Sequence, residues 1–155
     1  MEYSVVSVYA RNSKIAAYQS VVAHGGVAHE DPHRLVLMLF DGALERLAMA
    51  RGCLERRGRG DIGKKAQLLT QCLHIIGELR GGLNLVDGGA LAQNLSDLYD
   101  YMLRQLLRAN AENDLERIRE VSALMSEIRG AWVAIGPELR KAAPAAPPTP
   151  VARGA

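Results

Sequence analysis

The sequence is poor in the residues that most chemistry requires. Its 155 residues include two cysteines, Cys53 and Cys72, which lack the CxxC spacing of a metal or redox pair. They read as free thiols at core-edge helical positions in a reducing compartment. Aromatic side chains are scarce, with one tryptophan, one phenylalanine and five tyrosines. That leaves no run of stacking platforms for single-stranded nucleic acid. A formal net charge of +2 is too small to demand nucleic acid or an acidic lipid surface. The longest unbroken apolar run is Leu35–Phe40, far short of a membrane span, so no membrane insertion is expected. The opening MEYSVVSVYA has no basic start and too short an apolar run for a signal peptide, which predicts a cytoplasmic protein. No Gly-rich phosphate loop follows a strand, and no serine, histidine and acid stand in a recognisable catalytic context. No enzymatic activity, cofactor or metal is expected.

What the chain has in plenty is helical periodicity. Asp31 can cap a helix and Pro32 fits its first turn. Apolar residues then recur at Val36, Leu39, Phe40, Ala43, Leu47, Ala50 and Leu54, one face of a 3.6-residue period. Leu37, Leu44 and Ala48 form a second row, so this helix needs two neighbours, or one neighbour and a ligand. Asp61 can cap a second helix running to about Leu85, with Ile62, Ala66, Leu69, Leu73, Ile76 and Leu83 inward. A third runs from about Ala90 to Glu112 on Leu91, Leu95, Leu98, Met102, Leu106 and Ala109, flanked by Tyr99, Leu103 and Leu107. Asp114 can cap a fourth, built on Leu115, Ile118, Val121, Met125, Ile128, Trp132 and Ile135 and ending at Gly136-Pro137.

Short connections make antiparallel neighbours. The predicted fold is all-α, an antiparallel four-helix bundle with a short N-terminal accessory (lid) helix around Ser13 to Val22. The predicted organisation is a flexible segment over residues 1–30, the bundle over 31–136, and a disordered Ala/Pro-rich tail over 137–155.

Several motifs look chemical and have simpler explanations. His29-Glu30-Asp31-Pro32-His33 spells HExxH, but Pro32 denies the segment the continuous helix a zinc site needs, and no third ligand is evident. The same residues hold the one Glu-x-x-His of the chain, whereas a di-iron bundle needs two. Arg59-Gly60-Asp61 is accounted for by a turn and a cap. Arg51, Arg56, Arg57, Arg59, Lys64 and Lys65 gather near the first inter-helix turn and read as a solvated corner. Tyr99 and Tyr101 point about 200° apart on a helix, so one of them should reach a surface or groove edge.

Four stretches together carry a family pattern. Asp31-Pro32-His33-Arg34-Leu35, leading into Leu37-Met38-Leu39-Phe40-Asp41-Gly42-Ala43, resembles the first long helix of the flagellar secretion chaperone family (FliS). Leu98 to Leu107, then Ala109-Asn110 and Asn113-Asp114, resembles its tyrosine-rich helix, and Glu127-Ile128-Arg129 with Ala131-Trp132 its last one. Ala17-Tyr18-Gln19 resembles its start. The match runs in order from about Ile15 to Ile135. The chain departs in its residues before Ile15, in Gly25-Gly26 and in its Pro-rich tail.

The resemblance implies a non-enzymatic bundle that holds the disordered C-terminal segment of flagellin before export. It also implies presentation to the flagellar type III export gate and, in some members, binding of the flagellar anti-sigma factor. On this reading Leu37, Phe40, Leu44, Tyr99 and Leu103 line a cargo groove, and Ile15, Tyr18 and Gln19 form a lid over it. A more general helical adaptor for another secreted or regulatory protein is the alternative.

Overall fold

The computed structural model describes residues 32–56 and 60–142, the side chains of 138–142 apart. Among these residues there are four α-helices and no strand. They are α1 (Pro32–Glu55), α2 (Ile62–Gly81), α3 (Gly89–Glu112) and α4 (Leu115–Ala142). Packing is cyclic: α1 lies against α2 and α4, and α3 also lies against α2 and α4. The pairs α1/α3 and α2/α4 are therefore diagonal. No described helix is long and apolar enough to cross a membrane. The expected N-terminal helix, Asp31 as a cap, and the lid residues Ile15, Tyr18 and Gln19 lie outside the described residues.

Of the α1 stripe, Val36, Phe40, Ala43, Leu47 and Ala50 are buried as their spacing predicts, Leu39 and Leu54 are half-buried, and Leu35 is added to the core. On α4, Ile118, Val121, Met125 and Trp132 are buried and Leu115, Ile128 and Ile135 half-buried. The caps also form. Asp61 accepts from the Lys64 N–H at 2.8 Å, and Asp114 accepts from the N–H groups of Glu116 and Arg117. Each cap satisfies donors that the first helical turn leaves open. Asn113 takes the left-handed conformation (φ 53°) that ends α3 and reverses the chain.

Four expectations are corrected. First, α2 ends at Gly81, not near Leu85; the Gly82 N–H closes the helix on the Glu78 and Arg80 carbonyls, and Asn84 and Asp87 hold the next turn through each other. Second, the inner face of α2 is rotated. Lys65, Leu68, Leu69, Cys72, Ile76 and Leu79 are buried, while Ile62 is exposed and Ala66 and Leu73 are half-buried. A lysine whose methylene stem is buried reads as polar in a pattern, which hides the true face. Third, α3 turns Ala92, Ser96 and Tyr99 inward in place of Leu91, Leu95 and Leu98. Small residues at Ala92 and Ser96 leave room for the Tyr99 ring. Fourth, α4 continues through Gly136-Pro137 to Ala142. Pro137 is exposed, so water can serve the carbonyl that its missing N–H leaves unpaired.

Just before Pro137, α4 makes a reciprocal contact with the start of α1. The His33 and Trp132 rings stack at 5.1 Å between centroids, 12° from parallel. Trp132 Nε1–H donates to the His33 carbonyl at 2.9 Å. His33 Nε2 lies 2.6 Å from the Trp132 carbonyl, and since a carbonyl only accepts, Nε2 carries the proton. Gly136 makes this possible, because a Cβ there would lie 2.7 Å from His33 Cε1. Gly136→Ala is expected to lower stability by about 1–2 kcal/mol, the crowding outweighing the gain in helix propensity. Urea unfolding would show this as a lower midpoint with an unchanged slope.

Cys72 sits fully inside the bundle, its thiol facing the Ala43 carbonyl at 3.8 Å. Burial pushes its pKa up from 9.0 to about 12, with the Arg46 guanidinium opposing part of the rise. A raised folded-state pKa stabilises fully below the unfolded value and is lost as pH climbs toward the folded one. Native stability should therefore fall between pH 9 and about 12, by up to about 1.4 kcal/mol per pH unit from this group. Cys72→Ala should remove that slope in urea titrations across the same range.

Candidate functional site

Polar contacts pin the seam between α2 and α3 at two places. At one end the Lys65 ammonium donates to the Asn110 carbonyl at 2.8 Å and to Asn113 Oδ1 at 2.6 Å. Lys65 is only 2% exposed. Its stem lies in the core and its charge meets the last turn of α3, where free carbonyls gather. Burial pushes this ammonium below the ordinary lysine range. Nearer the other end Arg80 donates to Ser96 Oγ at 3.4 Å and to Asp100 Oδ1 at 3.3 Å.

Between these pins the apolar surface is incompletely covered. Leu69 and Ile76 are buried, Leu73 and Leu103 are half-buried, and Leu107 is 58% exposed. Helical spacing puts these residues on one seam. Leu103 follows Asp100 by three positions and Leu107 precedes Asn110 by three, so both share the side of α3 that faces α2. Leu73 lies seven positions before Arg80, on the matching side of α2. Ile62, 48% exposed, extends the row beyond Lys65. Gly77, one turn past Leu73, has no described residue beyond its own helical backbone within 4 Å of where a Cβ would stand.

The residues read from sequence as a cargo groove do not form one surface. Phe40 and Tyr99 are 1% and 0% exposed and belong to the core. The helix rotation that fills the centre with Tyr99 leaves Tyr101 as the tyrosine at the surface. Leu37 and Leu44 are half-buried on the side of α1 that carries Asp41, which pairs with Arg129 of α4. Leu103 belongs instead to the α2/α3 seam, diagonally across the bundle. Leu107 was legible only as a flanking leucine, and Leu73 and Ile62 only as core positions. The signal available was the i, i+4 pair Leu103/Leu107 running beside the core row.

Outward from this seam, Tyr101, Arg104, Gln105, Leu107 and Arg108 line an open concavity of about 410 Å³. The Tyr101 hydroxyl donates to Glu120 of α4, a bond that raises the phenol's pKa. Arg104 pairs with Asp100 at 3.2 Å, and Arg108 has no partner among the described residues. The His33 ring is engaged with Trp132, and no group of three or more metal-ligating side chains occurs among the described residues.

A profile of the family described as flagellar protein FliS matches residues 14–139. The flagellar secretion chaperone FliS of Salmonella typhimurium is 45% identical over 127 residues, covering 81% of this chain and 92% of that protein. The flagellar secretion chaperone FliSB of Pseudomonas aeruginosa is 44% identical over 115 residues, covering 74% and 89%. FliS of Bacillus subtilis is 34% identical over 101 residues, covering 65% and 72%.

The Lys65 contacts tie the start of α2 to the end of α3. Lys65→Met keeps the buried stem and removes the charged donor, leaving the Asn110 and Asn113 oxygens to find water. A loss of about 1–3 kcal/mol is expected in chemical unfolding, with the helical circular dichroism unchanged.

Proposed function

The chain belongs to the FliS family of flagellar secretion chaperones, and from that premise we propose that it holds the disordered C-terminal segment of flagellin in the cytoplasm. Holding that segment blocks premature polymerisation and keeps the cargo ready for the flagellar type III export gate. The observation that carries the reading is the α2/α3 seam, where Leu73 and Leu103 are half-buried and Leu107 and Ile62 exposed in one row between two polar pins.

Covering such a row with apolar side chains of a guest yields about 25 cal/mol per Å². Ordering a flexible guest takes back roughly 2–5 kcal/mol, so the contact must be long. A segment lying along the full seam, between the Lys65 and Arg80 pins, supplies that length. Gly77 fits the same account. Glycine inside a helix costs about 1 kcal/mol relative to alanine, and nothing in the bundle crowds this one. A guest backbone passing close to α2 at this turn gives the missing side chain a purpose. Phe40 and Tyr99 support the seam from inside the core and do not touch the guest. Ile15, Tyr18 and Gln19 act as a lid that the guest displaces.

Calorimetry of the full chain with a synthetic flagellin C-terminal peptide tests this. Leu103→Glu should weaken binding at least about tenfold by placing a charge in the apolar contact. Leu37→Glu, on the opposite seam, should leave affinity unchanged. Gly77→Ala should stabilise the free protein by about 0.5–1 kcal/mol and still weaken the peptide. Tyr18→Ala should tighten it if a lid competes. Equal losses from Leu37→Glu and Leu103→Glu would rule out the α2/α3 seam, and no binding at all would reject the cargo.

A further inference from the structure

The seam does not stop at its leucines. Leu107 belongs both to the α2/α3 row and to the concavity on the outer face of α3. From there the surface changes character within one turn. Among the described residues that line it, two are arginines and none is acidic. The Arg104 side chain is 66% exposed, and among the described residues it pairs only with Asp100, which also pairs with Arg80. An exposed pair of this kind holds a side chain weakly, so Arg104 can turn to a better partner. Arg108, one turn on, has no partner among the described residues. On α4, the Glu120 carboxylate is engaged by the Tyr101 hydroxyl. Two guanidinium groups at i and i+4, beside an exposed leucine, make a cationic lip on an apolar lane.

We propose that Arg104 and Arg108 recognise acidic side chains of the cargo segment, placed directly beside the apolar anchor that covers Leu107. The inference rests on the flagellin reading above and specifies the chemistry of the guest. It assigns the leucine row to affinity and the arginine pair to register and orientation. Arginine suits the second task, because its planar fork matches a carboxylate with two parallel hydrogen bonds. Nucleic acid fits the surface poorly. Two guanidinium groups are few phosphate contacts, and one tyrosine offers no stacking series.

The test uses the full chain and two synthetic peptides: the flagellin C-terminal segment, and the same segment with its aspartates and glutamates changed to lysine. Arg108→Glu should weaken the natural peptide several-fold and Arg104→Glu/Arg108→Glu about tenfold or more. The double variant should bind the lysine peptide better than the parent protein does. Affinity for the natural peptide should fall as salt rises from 50 to 300 mM, and less steeply in the double variant. Arg108→Glu breaks no described contact, so an unchanged thermal midpoint separates lost recognition from lost folding. Natural-peptide affinity that is equal in parent and both variants, together with sensitivity to Leu103→Glu, would overturn this inference and leave the cargo reading standing. Absence of binding to the parent protein would overturn both.

Discussion

Burial of the α1 stripe against two neighbours at once is the constraint on which the bundle depends. Val36, Phe40, Ala43, Leu47 and Ala50 are all 1% exposed or less. The row of Leu37 and Leu44 beside them then faces α4, while Gly42 and Arg46 on the other side meet α2 at Ile75 and Gln71. One helix thereby fixes the positions of two, and α3 has only the opposite corner left to it. Each fully buried aliphatic or aromatic side chain on this stripe contributes roughly 1.5–3 kcal/mol, far more than any surface ion pair.

Polar contacts then choose the register that apolar packing alone leaves loose. Each seam has its own: Arg46 to Gln71 between α1 and α2, Lys65 and Arg80 between α2 and α3, Tyr101 to Glu120 between α3 and α4, and Asp41 to Arg129 between α1 and α4. Most are exposed and contribute little to stability. Lys65 and the His33–Trp132 contact differ, because they are largely shielded from water and serve backbone carbonyls. An unmet carbonyl in such a place costs more than the bond itself adds.

The same arrangement leaves apolar surface at the edges of the bundle. A square of four helices closes its centre but not the outer edges of its seams. Where α2 carries small residues at Ala66, Thr70 and Gly77, the edge is shallow and the leucines of α3 stand proud of it. The proposed holding of an unfolded segment needs such an edge: apolar enough to repay ordering the guest, and bounded by polar groups that fix where it lies.

Period and caps are local properties, so the four described helices, most of their boundaries, most of the buried rows of α1 and α4, and the family were legible in the sequence. The sequence also placed Leu103 beside the core row of α3, together with Leu107 and with Tyr99, which the structure buries. It did not determine how α2 and α3 rotate about their axes. Leu91, Leu95 and Leu98 are more apolar than Ala92, Ser96 and Tyr99, which are buried in their place, so hydrophobicity alone ranks them the wrong way round. Only tertiary packing decided that Tyr99 and Lys65 go inside, since a tyrosine needs small neighbours and a lysine needs the carbonyls at the end of another helix. That rotation separates Leu37 and Leu44 from Leu103 and leaves the leucines of the α2/α3 seam facing outward, because the centre of the bundle was already full.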